Sequence, residues 1–186
     1  MPAGHRLPRQ SNLKAFCNRE KRLLTADAYI NSIFDITPKG LREKGISGLI
    51  LDIDNTLVAT NIRDADDKII HYIKSLIEDG IKIIVVSNAG KKRVETFCRP
   101  LKINYVYKAF KPLSRGFDRA IRKMGLPEEK VAIAGDQLFT DVLGGNIKGV
   151  HTILLKPIDL DEPFPLRIKR IFERPILAKH HFNDKY

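Results

Sequence analysis

The stretch GLILDIDNTLVAT, residues 48–60, decides the fold because a fully apolar run stands directly before two closely spaced acids. The run Leu49–Leu51 predicts a strand that is buried on both faces, as in a parallel sheet covered by helices. Asp52 and Asp54 follow at the end of that strand, where folding alone does not require carboxylates. The stretch therefore predicts a buried parallel strand that delivers two acids to a functional site.

Length and composition indicate a single globular domain with an excess of positive charge. The chain has 186 residues, 43% of them hydrophobic, and a formal net charge of +11. No apolar run approaches the roughly 20 residues that cross a bilayer. Cys17 and Cys98 lack metal-ligand spacing, so we expect two free thiols in a reducing, cytoplasmic compartment. The basic termini suit an anionic partner, including peripheral contact with the inner face of a membrane, and no specific nucleic-acid motif is present.

Apolar, β-branched runs alternate with segments of helical period, a pattern typical of parallel strands joined by crossover helices. The predicted strands cover residues 48–52, 82–87, 104–107, 130–135 and 150–155. The predicted helices cover residues 64–80, 90–101, 112–129 and 141–148. The alternation predicts an α/β fold, a three-layer α/β/α sandwich around a five-stranded parallel Rossmann-like sheet.

The chain divides into three parts around this pattern. Residues 1–44 are expected to form a basic arm and a helix, over residues 20–36, that packs on the core. Residues 45–156 form the α/β core. Residues 157–186 are expected to form a basic amphipathic helical tail that is broken near Pro175.

Polar residues gather at the carboxyl ends of the predicted strands, where open parallel sheets bind their ligands. They follow the first four strands in turn: Asp52 with Asp54, Ser87 with Asn88, Lys108 with Lys111, and Asp136 with Asp141. Each has an ordinary structural explanation on its own, because acids and serines cap loops and helices and lysines lie at surfaces. Their arrangement in order at successive strand ends predicts one shared site.

The segments LDIDNTLV, VVSNAG, FKP and AGDQLFTD resemble, in order and spacing, the four motifs of the haloacid dehalogenase-like (HAD) phosphohydrolase superfamily. The whole pattern is similar to the class III, YqeG-type members and to phosphatidylglycerophosphatases. The resemblance implies a HAD-type phosphoric monoester hydrolase. Only 32 residues separate Asp54 from Ser87, and 23 separate Ser87 from Lys111, which leaves no room for a cap domain.

The resemblance also implies a role for each residue at the strand ends. Asp52 is the implied nucleophile, and Asp54 is the implied general acid and base. Phosphate binding is implied for Asn55, Thr56, Ser87, Asn88 and Lys111, while the sequence alone leaves open whether Lys111 or Lys108 faces the phosphate. Mg²⁺ is the implied cofactor, with Asp52, Asp54 (through its backbone) and Asp136 as ligands and with Asp141 supporting them or fixing Lys111.

Elementary chemistry agrees with this set of residues. A carboxylate and a phosphate dianion repel each other, so a hard divalent cation and a lysine must reduce the repulsion. Attack by Asp52 gives an aspartyl phosphate, and Asp54 first protonates the leaving alkoxide and then activates water. We expect Mg²⁺-dependent hydrolysis of a phosphorylated small molecule, lipid or macromolecule. Phosphatidylglycerophosphate is the candidate that the resemblance suggests.

Two other classes of function remain as alternatives. A phospho-receiver domain combines a doubly wound sheet with clustered acids and a lysine, but its acid pair and its phosphorylated Asp lie on different strands. A non-catalytic module would bind anionic surfaces through the basic termini. Asp54 favours an enzyme, because a receiver needs no acid to help water enter.

Overall fold

Six parallel strands form the centre of the part of the chain that the structure describes. The computed structural model describes residues 23–159, 164–178, 180–183 and 186, with side chains for all of these except 164–170. The strands are β1 (Ala28–Ile30), β2 (Gly48–Leu51), β3 (Lys82–Val86), β4 (Asn104–Val106), β5 (Val131–Gly135) and β6 (His151–Leu155). They pair in parallel in the order β1-β6-β5-β2-β3-β4. Cys17 and the basic arm lie outside the described residues.

Helices cover both faces of this sheet. They are α1 (Pro38–Glu43), α2 (Asp67–Glu78), α3 (Lys91–Leu101), α4 (Ser114–Met124), α5 (Leu143–Lys148) and α6 (Phe164–Leu177). Leu49 and Leu51 of β2 pack in one cluster with the buried faces of α2 and α3. Ile50, which points to the opposite face, packs in the cluster that contains α4. The predicted three-layer sandwich and its four central crossover helices are therefore confirmed.

Local sequence signals set the ends of these helices. Asp66 caps α2, since its carboxylate accepts a hydrogen bond from the Ile69 amide at 2.8 Å. Gly125 ends α4 in the left-handed region, with φ 62°, where glycine carries no Cβ penalty. Cys98 of α3 is a free, buried thiol, as expected for this cysteine, and burial raises its pKa to about 12.

The helix predicted over residues 20–36 is wrong for the part that the structure describes from Ala28 onward. Ala28–Ile30 forms β1, a sixth strand at the edge of the sheet, and a short 3₁₀ turn follows at Ile33–Asp35. β1 pairs with β6 in the register Ala28↔Ile153 to Ile30↔Leu155. The apolar spacing of so short a segment carries no information about a partner strand that lies far along the chain, and pairing decides its conformation.

The predicted break near Pro175 is also wrong, because α6 continues through this proline to Leu177. Pro175 lies in the last turn of α6, and the helix ends two residues beyond it. Residues on both sides are held by packing: Glu173 is fully buried, and Ile176 and Leu177 pack against a cluster that includes Leu138. Among the described helices, none is both long enough and apolar enough to cross a bilayer.

Candidate active site

The carboxyl ends of β2 and β5 bring three carboxylates together. The two strands are neighbours, and the amide of Asp52 donates to the carbonyl of Ala134 at 3.1 Å. Asp52 follows β2, Asp136 follows β5, and Asp141 returns to the same place after one further turn. One carboxylate oxygen from each of these three buried acids lies within 4.8 Å of the other two. The site therefore forms at the point where the chain order of the sheet reverses, as the sequence predicts.

Lys111 supplies a buried positive charge to this cluster. Its Nζ lies 2.9 Å from Asp52 Oδ1 and 2.7 Å from Asp141 Oδ1, and both pairs are almost completely buried. Lys108, the other candidate, is exposed. Burial by itself lowers the pKa of Lys111, but Asp141 and then Asp52 raise it more, so its pKa lies above the ordinary value. Lys111 is therefore the lysine that faces the acids, and it stays protonated.

Burial controls the protonation of Asp52. Loss of hydration raises the pKa of Asp52 to about 6, Lys111 opposes this rise, and the nearby charge of Asp141 adds to it. Near neutral pH the Asp52 carboxyl is thus ionised while it remains close to the point of protonation. A carboxylate in this state is a stronger base and nucleophile than an ordinary, fully hydrated one.

A close turn after β5 positions Asp141. The segment Leu138–Val142 forms one π-helical turn, so Asp141 is in this turn and α5 begins only at Leu143. The Asp141 carboxylate packs directly on Gly135, where a Cβ would lie 2.3 Å from Asp141 Cγ. Asp141 Oδ2 also accepts a hydrogen bond from the Gln137 amide at 3.3 Å. Glycine at position 135 is therefore required for Asp141 to reach the cluster.

Thr56 and Asn55 organise the loop that follows β2. The Thr56 hydroxyl donates to Asp136 Oδ1 at 3.1 Å and is buried. Asn55, with φ 61°, has its side chain bound to the backbone of Asp159 in both directions, at 3.0 and 3.2 Å. The backbone amide of Asn55 donates to the carbonyl of Val58. The backbone amide of Asn55 thus holds the loop closed, and the phosphate contact expected for this residue stays a prediction.

Ser87 and Asn88 follow β3 and have different surroundings. Ser87 is buried, and its Oγ accepts a hydrogen bond from the Ala89 amide at 3.1 Å. The Asn88 side chain accepts from the Lys111 amide at 2.7 Å and donates to the Lys111 carbonyl at 3.2 Å. Asn88, which was expected to contact phosphate, therefore clamps the backbone of Lys111.

Asp54 lies at the edge of the site and pairs with a residue that the sequence analysis missed. Arg93 Nη2 is 2.8 Å from Asp54 Oδ1, and Arg93 Nη1 donates to the carbonyl of Arg63 at 2.7 Å. The Asp54 carboxylate is not part of the three-acid cluster. No local pattern distinguishes Arg93 from its basic neighbours at the start of α3, because only the fold brings it to Asp54.

Glu173 of α6 is a second residue that the sequence analysis missed. Its Oε1 accepts hydrogen bonds from the amides of Leu138 and Phe139 at 2.8 and 3.4 Å. These amides begin the π turn that separates Asp136 from Asp141. The segment after the core, expected to be a tail, thus supports the loop that presents two of the clustered acids.

The cluster fits a hard divalent cation. Such ions take oxygen ligands, and Asp52, Asp136 and Asp141 offer three carboxylates in a buried space that contains one compensating ammonium group. Asp54 adds a carboxylic group at the edge, where proton transfer to a bound molecule is possible. Taken together, the groups can bind a cation, neutralise an anion and exchange a proton with it.

Comparison with known proteins points to the same chemistry. The HAD-hydrolase-like family model matches residues 109–157. The protein named probable phosphatase YqeG, from Bacillus subtilis, is 43% identical over 158 residues, which cover 85% of this chain and 92% of that protein.

Solved structures share the fold at low sequence identity. The cobalt-bound deoxy-D-mannose-octulosonate 8-phosphate phosphatase of Haemophilus influenzae has a TM-score of 0.52 at 16% identity, over 73% of this chain and 89% of its own. An uncharacterized protein from Listeria monocytogenes serotype 4b has a TM-score of 0.50 at 14% identity, over 73% of this chain and 100% of its own.

Proposed function

Since the chain belongs to the YqeG-type phosphatases of the HAD-like hydrolase family, we propose that it hydrolyses phosphate monoesters with Mg²⁺ through an aspartyl phosphate on Asp52. One observation carries this proposal. Lys111 Nζ joins Asp52 to Asp141 within the same cluster that contains Asp136, so nucleophile, cation ligands and anion-binding ammonium group share one small space. The proposed catalytic core is residues 45–156, with residues 1–44 and 157–186 as flanking segments.

In the first step, an Asp52 carboxylate oxygen forms a bond to phosphorus as the bond from phosphorus to the leaving oxygen breaks. Asp54 gives its proton to that leaving oxygen. Mg²⁺, held by Asp52, Asp136 and the backbone carbonyl of Asp54 with Asp141 close by, would reduce the repulsion between carboxylate and phosphate. In the second step, Asp54 takes a proton from water, which attacks phosphorus and releases phosphate and the Asp52 carboxylate.

Three side chains assist these steps without taking part in bond formation. Lys111 neutralises the transferring oxygens and holds Asp52 in place. Ser87 accepts from a backbone amide, and a hydroxyl in that position still has its own proton to donate to a phosphate oxygen. Thr56 orients the Asp136 carboxylate.

The open site supports a bulky substrate. Residues 55–86 contain a loop, α2 and β3, so no cap domain is inserted within this range. Phe110 and Leu113, on either side of Lys111, are 67% and 62% exposed and place apolar groups beside the site. Together with the basic composition, these features support a phosphorylated lipid, with phosphatidylglycerophosphate first, and a cytoplasmic protein in peripheral contact with an anionic membrane.

The experiment that tests the proposal is phosphate release from a panel of phosphorylated metabolites and lipids, with and without Mg²⁺. The Asp52→Asn variant serves as the blank. We expect Mg²⁺-dependent release by the wild-type protein and none by the variant. Release that is equal in both, or that is unaffected by removal of Mg²⁺, would overturn the proposal. Turnover of soluble esters without turnover of the lipid in vesicles would overturn the lipid assignment alone.

A further inference from the structure

A cleft of about 610 Å³ lies beside Asp54. The proposed reaction assigns no function to this cleft. Arg63, Asp64, Lys92, Arg93 and Thr96 line it, between the loop after the DIDNT segment and the first turns of α3. Its volume is within the roughly 300–1,000 Å³ that small-molecule sites occupy. Arg93 connects the cleft to Asp54, because its guanidinium binds both the Asp54 carboxylate and the carbonyl of Arg63, another lining residue.

The lining residues determine the chemistry that the cleft accepts. All five are polar, and three carry positive charge while only Asp64 is acidic. Arg63 and Lys92 are exposed, so they can turn toward a ligand, whereas Arg93 is held by its two contacts. A cleft with this excess of positive charge attracts an anion.

The position of the cleft beside Asp54 relates it to the leaving group of the substrate. In the proposed reaction, which this inference rests on, Asp54 protonates the leaving oxygen, so the leaving group must pass the Asp54 carboxylate. The Arg93 side chain that holds this carboxylate also lines the cleft. A leaving group that extends beyond its reacting oxygen would therefore reach Lys92 and Arg63.

We propose that this cleft is a second anion site, and that the preferred substrate is a phosphate monoester whose leaving group carries a further anionic group. A phosphate or carboxylate a few bonds beyond the reacting oxygen would contact Lys92 and Arg63. Such charge-assisted hydrogen bonds are stronger than neutral ones. They give selectivity to a site that has no cap domain inserted between Asp54 and Ser87 to provide it.

A pair of matched substrates tests this proposal. Propane-1,3-diol bisphosphate and 3-hydroxypropyl phosphate have the same reacting ester and differ only in the second phosphate. We expect the wild-type kcat/KM to be about tenfold higher for the bisphosphate, after a statistical factor of two for its equivalent phosphates. We expect Lys92→Gln, and Arg63→Gln independently, to remove most of this preference. The readout is the ratio of the two kcat/KM values, from initial rates of phosphate release with Mg²⁺.

Lys91→Gln is the matched control. It makes the same change of charge in the same helical turn, but Lys91 does not line the cleft. We expect it to retain the wild-type ratio. An equal loss of preference in Lys91→Gln would assign the effect to general surface charge and overturn the second anion site. A wild-type ratio no larger than the statistical factor, or an unchanged ratio in Lys92→Gln, would also overturn it.

Two further measurements separate this inference from the proposed function. If neither ester nor p-nitrophenyl phosphate releases phosphate, the proposed function fails. Calorimetric affinities of the Asp52→Asn protein for the same two esters then test the second anion site without turnover. Tighter binding of the bisphosphate, abolished by the further change Lys92→Gln, supports this site. Equal affinities for the two esters overturn it. Equal thermal unfolding midpoints of the variants exclude misfolding as the cause of any change.

Discussion

Lys111 and Asp141 form a fully buried ion pair, with Nζ 2.7 Å from Oδ1. The same Nζ contacts Asp52, so a single ammonium group balances two carboxylates that would otherwise repel each other inside the protein. Asn88, which follows the neighbouring strand β3, fixes the backbone of Lys111 through two hydrogen bonds. The charges of the site are therefore arranged before any substrate arrives, which is how an enzyme avoids reorganisation during reaction.

The first prediction concerns the variant Lys111→Met. Removing one partner of a buried ion pair leaves uncompensated charge and costs about 3–5 kcal/mol. We expect the free energy of unfolding, from urea titration of the metal-free protein, to fall by about this amount. Added Mg²⁺ should restore part of it, because a bound cation replaces the lost positive charge. We expect phosphate release to fall at least ~100-fold, as when a charge-stabilising donor is removed from other enzymes.

Lys108→Met is the control for this variant. Lys108 follows the same strand, β4, and its side chain is exposed. Its replacement by methionine is the same chemical change as in Lys111→Met. We expect its stability to stay within about 0.5 kcal/mol of the wild type, and its activity to be close to that of the wild type. Equal losses in the two variants would contradict the assignment of Lys111.

The second prediction follows from the raised pKa of Asp52, which burial moves from 3.8 to about 6. A carboxyl whose pKa is raised by folding stabilises the protein below its unfolded pKa, and that contribution is lost as pH rises through the folded pKa. The Asp52→Asn variant lacks this titration. We therefore expect the metal-free variant to gain stability over the wild type as pH increases from about 4 to 7, with a constant difference above that.

Urea unfolding of both metal-free proteins at several pH values measures this difference. Parallel stability curves would show that Asp52 does not titrate differently in the folded state. A difference that shrinks as pH rises would mean that the attraction of Lys111 outweighs the cost of burial.

The sequence predicted the strand ends of the site well, because their positions follow from general rules of parallel sheets. Asp52 and Asp136 stand directly after apolar runs, and neighbouring parallel strands end at the same edge. The edge strand β1 was missed because its three residues become a strand only through pairing with β6. Local pattern carries no such long-range information.

The roles of the asparagine and charged side chains around the site were harder to predict. Asn55 and Asn88 can each bind phosphate or clamp a loop, and residue type does not distinguish these tasks. The structure shows them bound to the backbone of Asp159 and Lys111. Arg93 and Glu173 enter through tertiary contacts from α3 and α6, so no motif spacing identifies them.

The third prediction concerns Asp54 as the proton donor and acceptor. An alkyl phosphate needs its leaving oxygen protonated, whereas p-nitrophenolate leaves without help. We expect Asp54→Asn to slow turnover of an alkyl phosphate by roughly 10²–10⁴. With p-nitrophenyl phosphate we expect a burst of about one p-nitrophenolate per chain followed by slow turnover, because the second step lacks its base. Stopped-flow absorbance measures the burst, and steady release without one would contradict the role of Asp54.

Arg93→Gln probes the same carboxylate indirectly. Arg93 holds Asp54 through a partly exposed pair, with 20% and 28% of the two side chains accessible, so its stability effect is about 0–1 kcal/mol. We expect a loss of kcat that is larger for the alkyl ester than for p-nitrophenyl phosphate, with an almost unchanged unfolding midpoint. A uniform loss on both substrates would instead indicate that Arg93 binds the phosphate.

The fourth prediction concerns the link between α6 and the acid cluster. Glu173 accepts hydrogen bonds from the amides that begin the π turn, and Leu138, which donates the shorter one, is fully buried. Glu173→Ala leaves these amides without their acceptor, which costs about 1–3 kcal/mol per group. The turn that spaces Asp136 and Asp141 should then loosen. We expect lower stability in urea together with a higher Mg²⁺ concentration for half-maximal activity, since the ligand Asp136 and its neighbour Asp141 lose their fixed separation.

Two variants make the role of Glu173 specific. Glu173→Gln keeps an acceptor oxygen at the same distance along the side chain, so it should recover much of the Mg²⁺ response that the alanine variant loses. Arg174→Ala removes an exposed side chain from the same helical turn, and both measurements should remain at wild-type values. If Glu173→Ala lowers stability but leaves the Mg²⁺ dependence unchanged, α6 supports the fold alone. In that case the spacing of Asp136 and Asp141 is maintained within the turn, by the contacts of Asp141 with Gly135 and the Gln137 amide.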